Sequence, residues 1–251
     1  MDQRYLVGGL VRGLELLRCF DGRDGGLSLA DLAHRLSDTR SSVFRFAYTL
    51  EHLGYLRRDR ITKRYQLTPR VLELGYRALS VLDLPQLVQP YLDRLRDETN
   101  CSAHLGLLDG AEVRYVGRAP SRQTYASTIH IGSALPAHAT AMGKVLLSWH
   151  GQKWVANWLE RFPLQGFTAR TTTHRAAFLR ELKAIRERGY AVSRGQYELG
   201  IDAVAAPLTG EGGDAVAAIN VSGPDSMFRG HRMDRVLVPA VLEVAYEVST
   251  A

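Results

Sequence analysis

Between residues 36 and 59 the chain reads LSDTRSSVFRFAYTLEHLGYLRRD. Small hydroxyl residues around one arginine, Thr39, Arg40, Ser41 and Ser42, run straight into an apolar helical stripe. At about 100° per residue, Val43, Phe46, Ala47, Leu50 and Leu53 share one helix face. Ser41, Phe44, Arg45, Tyr48 and His52 share the opposite one. A merely solvated face rarely carries two aromatics one turn apart beside hydroxyls and an arginine. Small polar residues at a helix N-terminus let backbone amides approach phosphate, where the helix dipole also favours an anion. Arg45 can fork onto a guanine edge in the major groove, and Phe44 can lie against a thymine methyl. The chemistry expected of this face is readout of double-stranded DNA.

After Gly54 comes YLRRDRITKRYQLTP. Tyr55-Leu56 and Tyr65-Gln66-Leu67 read as two short strands joined by a tip carrying Arg57, Arg58, Arg60, Lys63 and Arg64. Such a hairpin wing neutralises phosphates beside the groove, chiefly through Arg60, Lys63 and Arg64. The charge distribution agrees. Residues 1–80 hold 14 Lys and Arg against 9 Asp and Glu, while the remainder holds 18 against 17. A basic N-terminal third on a nearly neutral body expects an anionic partner on that third.

Elsewhere the residue patterns carry little catalysis. TAMGKV contains a GK pair, but His138 stands where a phosphate loop needs Gly, and Val145 follows the lysine. No G-x-S-x-G elbow and no H-E-x-x-H occurs. His104, His130 and His138 are scattered over strand and loop, where structural roles are expected rather than zinc ligation. Ser222 beside Gly223-Pro224 has no base near it in sequence. Neither catalytic residues, nor a metal, nor a cofactor is expected. A binding pocket without catalysis fits this half.

The elements that position these groups follow from periodicity. A helix is expected over residues 10–20, with Leu10, Leu14, Leu17 and Cys19–Phe20 as its stripe. LSLADLAHRLS starts a second helix, with Ser28 as N-cap and Asp31 as its reciprocal partner. The third runs from about Arg40 to Leu53, capped by Thr39 or Asp38, with Gly54 after its end. Short helix, tight turn and second helix make a helix-turn-helix.

Residues 68–83 read as a helix opened by Pro69, with Leu72, Leu79 and Leu82 at helical spacing. Pro85 and Pro90 are expected to break the path before a helix that runs to about Asn100. A hairpin is expected around Asp109-Gly110, a strand near Gln123–Ile131, and helices over 140–148 and near 153–160. A helix closed by Gly189 follows, then strands near 190–195, 202–208 and 215–222, and a helix from about His231 to Val248. The fold class is α+β: residues 1–68 as a winged helix-turn-helix, 69–84 as a connector helix, and 85–251 as an antiparallel sheet with packed helices.

At 251 residues, with 45% hydrophobic and 23% charged residues, this is the composition of a globular chain of two domains. No apolar run reaches the roughly 18 residues of a membrane helix. MDQRYLVGGLVRG lacks a signal pattern, so a cytoplasmic location is expected. Cys19 and Cys101 are expected as two reduced thiols.

Several ordered segments resemble the IclR-type transcriptional regulators. RGLELLRCF is similar to their first helix, and LSLADLAHRL with RSSVFRFAYTLEHLGYLRRD to their helix-turn-helix. LPAHATAMGKVLL, ELKAIRERGYAVSRGQYELGIDAVAAPL and AAINVSGP are similar to their effector-domain signatures. The resemblance covers nearly the whole chain. It implies a GAF-like sensor domain, dimers often paired into tetramers, and binding to operator DNA. Carried over by motif, the effector positions are Ala141, Met142, Ser193, Ile201, Ala203, Asn220 and Ser222, with backbone amides near Thr140–Gly143 as a cradle for a carboxylate.

Ser193 stands where members sensing small keto acids carry Asp, and Ala203 where they carry Cys. A smaller, less charged lining leaves room for a larger ligand. LTPRVLELGYRALSVLDLPQLVQPYLDRL and VRYVGRAPSR resemble the subgroup controlling protocatechuate and hydroxybenzoate catabolism, so the small organic-acid effector expected is an aromatic carboxylate. Two other function classes stay open: an enzyme acting on a small organic acid with an appended DNA-binding domain, and an architectural DNA-binding protein without a ligand response.

Overall fold

The computed structural model of the chain describes residues 3–20, 25–74, 84–123, 129–210 and 212–250. Two compact units make it up, Met1–Leu82 and Asp83–Ala251.

The N-terminal unit packs α1 (Gly8–Arg18), α2 (Leu29–Leu36) and α3 (Arg40–His52) beside a two-stranded sheet of β1 (Leu56–Arg58) and β2 (Tyr65–Leu67). Its core is Leu16, Leu32, Leu36, Val43, Ala47, Leu50, Leu56 and Tyr65. Ser28 accepts from the Asp31 N–H while Asp31 accepts from the Ser28 N–H, a complete capping box. Ser37 then turns left-handed (φ 50°) and closes α2. Leu27 bridges Tyr65, extending the small sheet by one residue.

The α1 stripe differs from expectation. Leu16 is fully buried and Leu17 partly so, whereas Leu10 and Leu14 are exposed and the helix stops at Arg18. Three short helices meet along narrow lines, and the line through α1 runs through Leu16.

Pairing of β1 with β2 sets Leu56 opposite Leu67 and Arg58 opposite Tyr65. The expected connector over 69–84 falls mostly on residues outside those described. Residues 71–74 are helical, and Leu84 already belongs to the next helix.

The second unit is built on a six-stranded antiparallel sheet. Its strands are β3 (Ser102–Asp109), β4 (Glu112–Ala119), β5 (Ala134–Pro136), β6 (Ala191–Arg194), β7 (Ile201–Thr209) and β8 (Ala215–Pro224), in the order β5-β4-β3-β8-β7-β6. One face carries α4 (Leu84–Thr99) and α8 (Val238–Thr250); the other carries α5 (Ala141–Ser148), with α6 (Gln152–Arg161) and α7 (Arg175–Arg188) around it.

Both prolines lie inside α4 instead of breaking it. Pro85 sits in the first turn, where no intrahelical N–H is lost. Pro90 removes one bond, and the burial of Val88, Leu92 and Leu95 outweighs that loss.

Described residues 129–131 of the expected Gln123–Ile131 strand are not extended into the sheet. The chain turns at Gly132 (φ 91°); the Gly132 N–H and the Ser133 carbonyl bond Tyr115 of β4, and the β5 ladder runs from Ala134. The last helix begins at His231 but carries a π-turn over Met233–Leu237, beside Pro239, which has no N–H to donate. Among the described residues no helix is long and apolar enough to cross a membrane.

Candidate nucleic-acid face and effector cavity

The start of α3 is built by its own hydroxyls. Thr39 Oγ1 accepts the Ser42 N–H at 3.2 Å, and Ser42 Oγ donates to Asp38 Oδ2 at 3.1 Å. Asp38 Oδ1 in turn accepts the Thr39 N–H at 2.7 Å. Thr39 and Ser42 therefore shape the helix terminus and hold its amides in place, while Arg40 and Ser41 are exposed at it. Arg12 of α1 donates to the Leu36 carbonyl at 3.4 Å and braces this turn.

Along α3, Val43 and Ala47 are fully buried, whereas Phe44, Arg45 and Tyr48 form an exposed strip. Arg40 and Arg45 have no side-chain partner among the described residues.

Asp59 organises the wing tip. Its Oδ1 accepts the N–H groups of Ile61 and Thr62 and the Thr62 hydroxyl. These bonds hold its carboxyl below the usual range. Arg60 and Lys63 are exposed at this tip. Arg64 behaves differently: its guanidinium donates to the Gly26 carbonyl at 2.6 Å and lies 3.5 Å from Asp31. It ties the wing to the start of α2, a role the sequence did not reveal.

In the second unit the sheet and α5 enclose a cavity of about 240 Å³. Strand register explains its floor. Ser193, Ala203, Ser222 and Ser102 form one cross-strand row over β6, β7, β8 and β3, and Ala205, Asn220 and His104 form the next. Opposed residues in a ladder point to the same face. Ser193, Ile201, Ala203, Asn220, Ser222 and Ala141 all line the cavity.

Met142 does not line it. It is fully buried in the core, and a Cβ on Gly106 would lie 3.0 Å from its Cε. One residue along a helix turns a side chain by about 100°, so Ala141 and Met142 cannot both face the ligand space. Sequence reading missed Tyr115, Cys101 and Ser102, which also line the cavity. The alternation of Ser102, His104 and Gly106 along β3 was the available signal.

Thr140 caps α5 by accepting the Gly143 N–H at 3.2 Å, which leaves the amides of Ala141 and Met142 without an intrahelical acceptor. Gly143 is required there, because a Cβ would overlap the backbone of Ala137.

Lys144 of the GK pair is fully buried. It donates to Glu181 Oε1 at 2.7 Å and to Gln196 Oε1. Burial pushes its pKa down. That ammonium locks α5 to α7 instead of facing a phosphate. His138 pairs with the Gln165 carbonyl at 2.8 Å, and His130 with Arg118.

The chain matches two domain families in sequence order. Residues 9–60 match the IclR helix-turn-helix domain and residues 76–250 the bacterial transcriptional regulator IclR C-terminal domain.

The chain belongs to the IclR family.

It is a ligand-responsive, DNA-binding transcriptional regulator of that family. It is 32% identical over 246 residues to the Pca operon regulatory protein of Acinetobacter baylyi, covering 96% of this chain and 88% of that protein. Among solved structures it is similar to a transcriptional regulator from Rhodococcus sp. RHA1, with TM-score 0.84, 37% identity and 98% of each chain covered. It is also similar to a double mutant of the PobR inducer-binding domain from Acinetobacter in complex with 3-hydroxybenzoic acid. There the TM-score is 0.62 and the identity 32%, over 66% of this chain and 97% of that one. The IclR helix-turn-helix match contains the capped α3 and its exposed strip, and the IclR C-terminal match contains the cavity.

Proposed function

We propose that this IclR regulator senses an aromatic carboxylate in the 240 Å³ cavity and reads operator DNA with α3 and the wing. The observation that carries the ligand class is the lining: serine hydroxyls, the Asn220 amide and the free amide of Ala141 beside the apolar Tyr115, Leu135, Ile201 and Ala203. Hydrogen-bond donors suit a carboxylate, and apolar and aromatic side chains suit a ring. The volume lies just below the usual range of ligand pockets, about 300–1,000 Å³, which favours a single ring over an extended molecule. The 3-hydroxybenzoic acid bound by the PobR domain supports the same class.

On the DNA side, Arg45, Phe44 and Tyr48 contact bases, Ser41 and the terminus shaped by Thr39 and Ser42 contact phosphate, and Arg40, Arg60, Lys63 and Arg64 supply positive charge. A homodimer or homotetramer in the cytoplasm presents paired winged helices to an operator, and the acid changes their spacing.

Turnover of the acid is not part of this reading. Ser222 has serine and alanine neighbours in its row, and burial raises the Cys101 thiol above its usual range, away from thiolate chemistry. Recovery of unchanged acid after incubation with the protein tests the enzyme alternative.

Fluorescence anisotropy with DNA from immediately upstream of the protein's own gene, against scrambled DNA at several salt concentrations, tests the main reading. Preference for the upstream DNA that one aromatic acid alters is the expected result. Equal, salt-sensitive binding to both DNAs with no acid response would overturn it.

A further inference from the structure

Asn220 enters the cavity from β8 with one side of its amide already engaged. Its Oδ1 lies 3.0 Å from Nδ1 of His104, its cross-strand neighbour on β3. The His104 ring is fully buried and meets Tyr115 edge-on, with centroids 5.4 Å apart. His104 Nε2 has no hydrogen-bond partner among the described residues.

Two arrangements of the pair share these heavy-atom positions. In one, Nδ1–H donates to Asn220 Oδ1, and Nε2 keeps a bare lone pair. In the other, the amide is turned over, Nδ1 accepts from it, and the ring proton sits on Nε2 with nothing to receive it. Orphaned buried N–H groups are the rarer defect. A doubly protonated ring is excluded by burial, which lowers the His104 pKa to about 4. The first arrangement is therefore the stable one.

We propose that His104 is a positioning residue for the cavity. It holds the Asn220 amide with its NH2 group turned inward, so that this wall donates hydrogen bonds and takes a carboxylate oxygen. The ligand part rests on the acid-sensing function proposed above; the polarity of the wall rests on the His104–Asn220 pair alone.

The surroundings share that polarity. Ser222 brings a hydroxyl from the neighbouring row, as does Ser193, whose proton goes to the Ala139 carbonyl at 3.5 Å, and the buried Tyr115 lines the same space. The carboxylate in the lining, Glu198, is on an exposed residue at the rim. No lysine or arginine is among the described lining residues. With neutral donors alone holding an acid, an amide free to flip would turn an acceptor against it.

The test uses the full chain. Nitrogen NMR of labelled histidine, with His104 assigned by its loss in His104→Leu, reads the tautomer at about pH 6 to 8. The Nδ1–H form is expected, and the Nε2–H form would overturn the proposal whatever ligand the cavity takes. Calorimetry with 3-hydroxybenzoate and 4-hydroxybenzoate reads the consequence. Asn220→Asp should weaken binding about tenfold or more, and His104→Leu about tenfold.

His104→Asn keeps a donor near the Nδ1 position and should stay within about threefold of the parent protein. A merely structural role predicts the reverse, since Asn fills the buried site worse than Leu. Equal affinity in His104→Leu and the parent protein would sink the positioning role. If neither acid binds the parent protein, the proposed ligand class fails and the tautomer alone decides the role of His104.

Discussion

Phe44 and Tyr48 stand one helical turn apart on the exposed side of α3, with ring centroids 6.1 Å apart and planes 37° from parallel. Arg45 lies beside them, while Val43 and Ala47 on the other side are fully buried. Removing the exposed groups should therefore spare the fold. Arg45→Ala is expected to cost about 1–3 kcal/mol of operator binding and to relax specificity at one base pair, with the melting temperature unchanged. Anisotropy on operator and random DNA checks this. Equal losses on both would remove α3 from the readout.

The wing should separate charge from structure. Lys63→Ala is expected to weaken all DNA alike and to lower the salt slope by about one ion. Arg64→Ala should in addition lower the melting temperature, because Arg64 holds the Gly26 carbonyl at 2.6 Å. Thermal unfolding of Arg64→Ala beside Arg60→Ala measures the difference. Identical melting would show that the Gly26 bond contributes nothing.

Filling the cavity should uncouple sensing from DNA binding. Ser222→Trp places a large ring in the row shared with Ala203 and Ser102. The acid response should disappear while operator affinity without ligand stays within about threefold. A persisting response would place the effector elsewhere.

Gly143 offers no such separation. Because a Cβ there would overlap Ala137, Gly143→Ala should cost about 2–3 kcal/mol or more, a shift that denaturant titration reads directly. An unchanged midpoint would mean that the turn before α5 relaxes freely.

Acid should weaken the second unit through His104. Its pKa is about 4 in the folded protein against an ordinary 6.5. The unfolded chain therefore binds the proton first as the pH falls. Stability is complete above about pH 6.5 and is lost down to about pH 4, by about 3 kcal/mol at most. His138 and His150, also lowered by burial, act with the same sign, whereas Asp202, raised by burial, acts against it. Denaturant titrations of the parent protein and His104→Leu at both ends of that range isolate its share. Parallel losses in the two proteins would assign the effect to the other groups.

Much of the N-terminal unit was legible because its determinants are local. The Ser28–Asp31 box, the Thr39 cap and the two faces of α3 involve residues within one or two helical turns, and helical geometry fixes what a turn brings together. Gly110 and Gly189 mark their turns for the same reason, with φ of 61° and 85°.

What failed was non-local. Leu16 rather than Leu14 is buried in α1 because of how α2 and α3 lie against it, and Pro90 sits inside a helix because the sheet rewards the burial of α4. The cavity is the extreme case. Lys144 meets Glu181 across 37 residues, and His104 meets Asn220 across 116. Family resemblance supplied six of its lining residues, but only the strand register sets Ser193, Ala203, Ser222 and Ser102 in one row. Composition and periodicity determined most of the elements and the exposed strip of the capped helix α3. The pairing of distant strands decided which polar groups converge, because a register shift of a single residue turns every side chain to the other face.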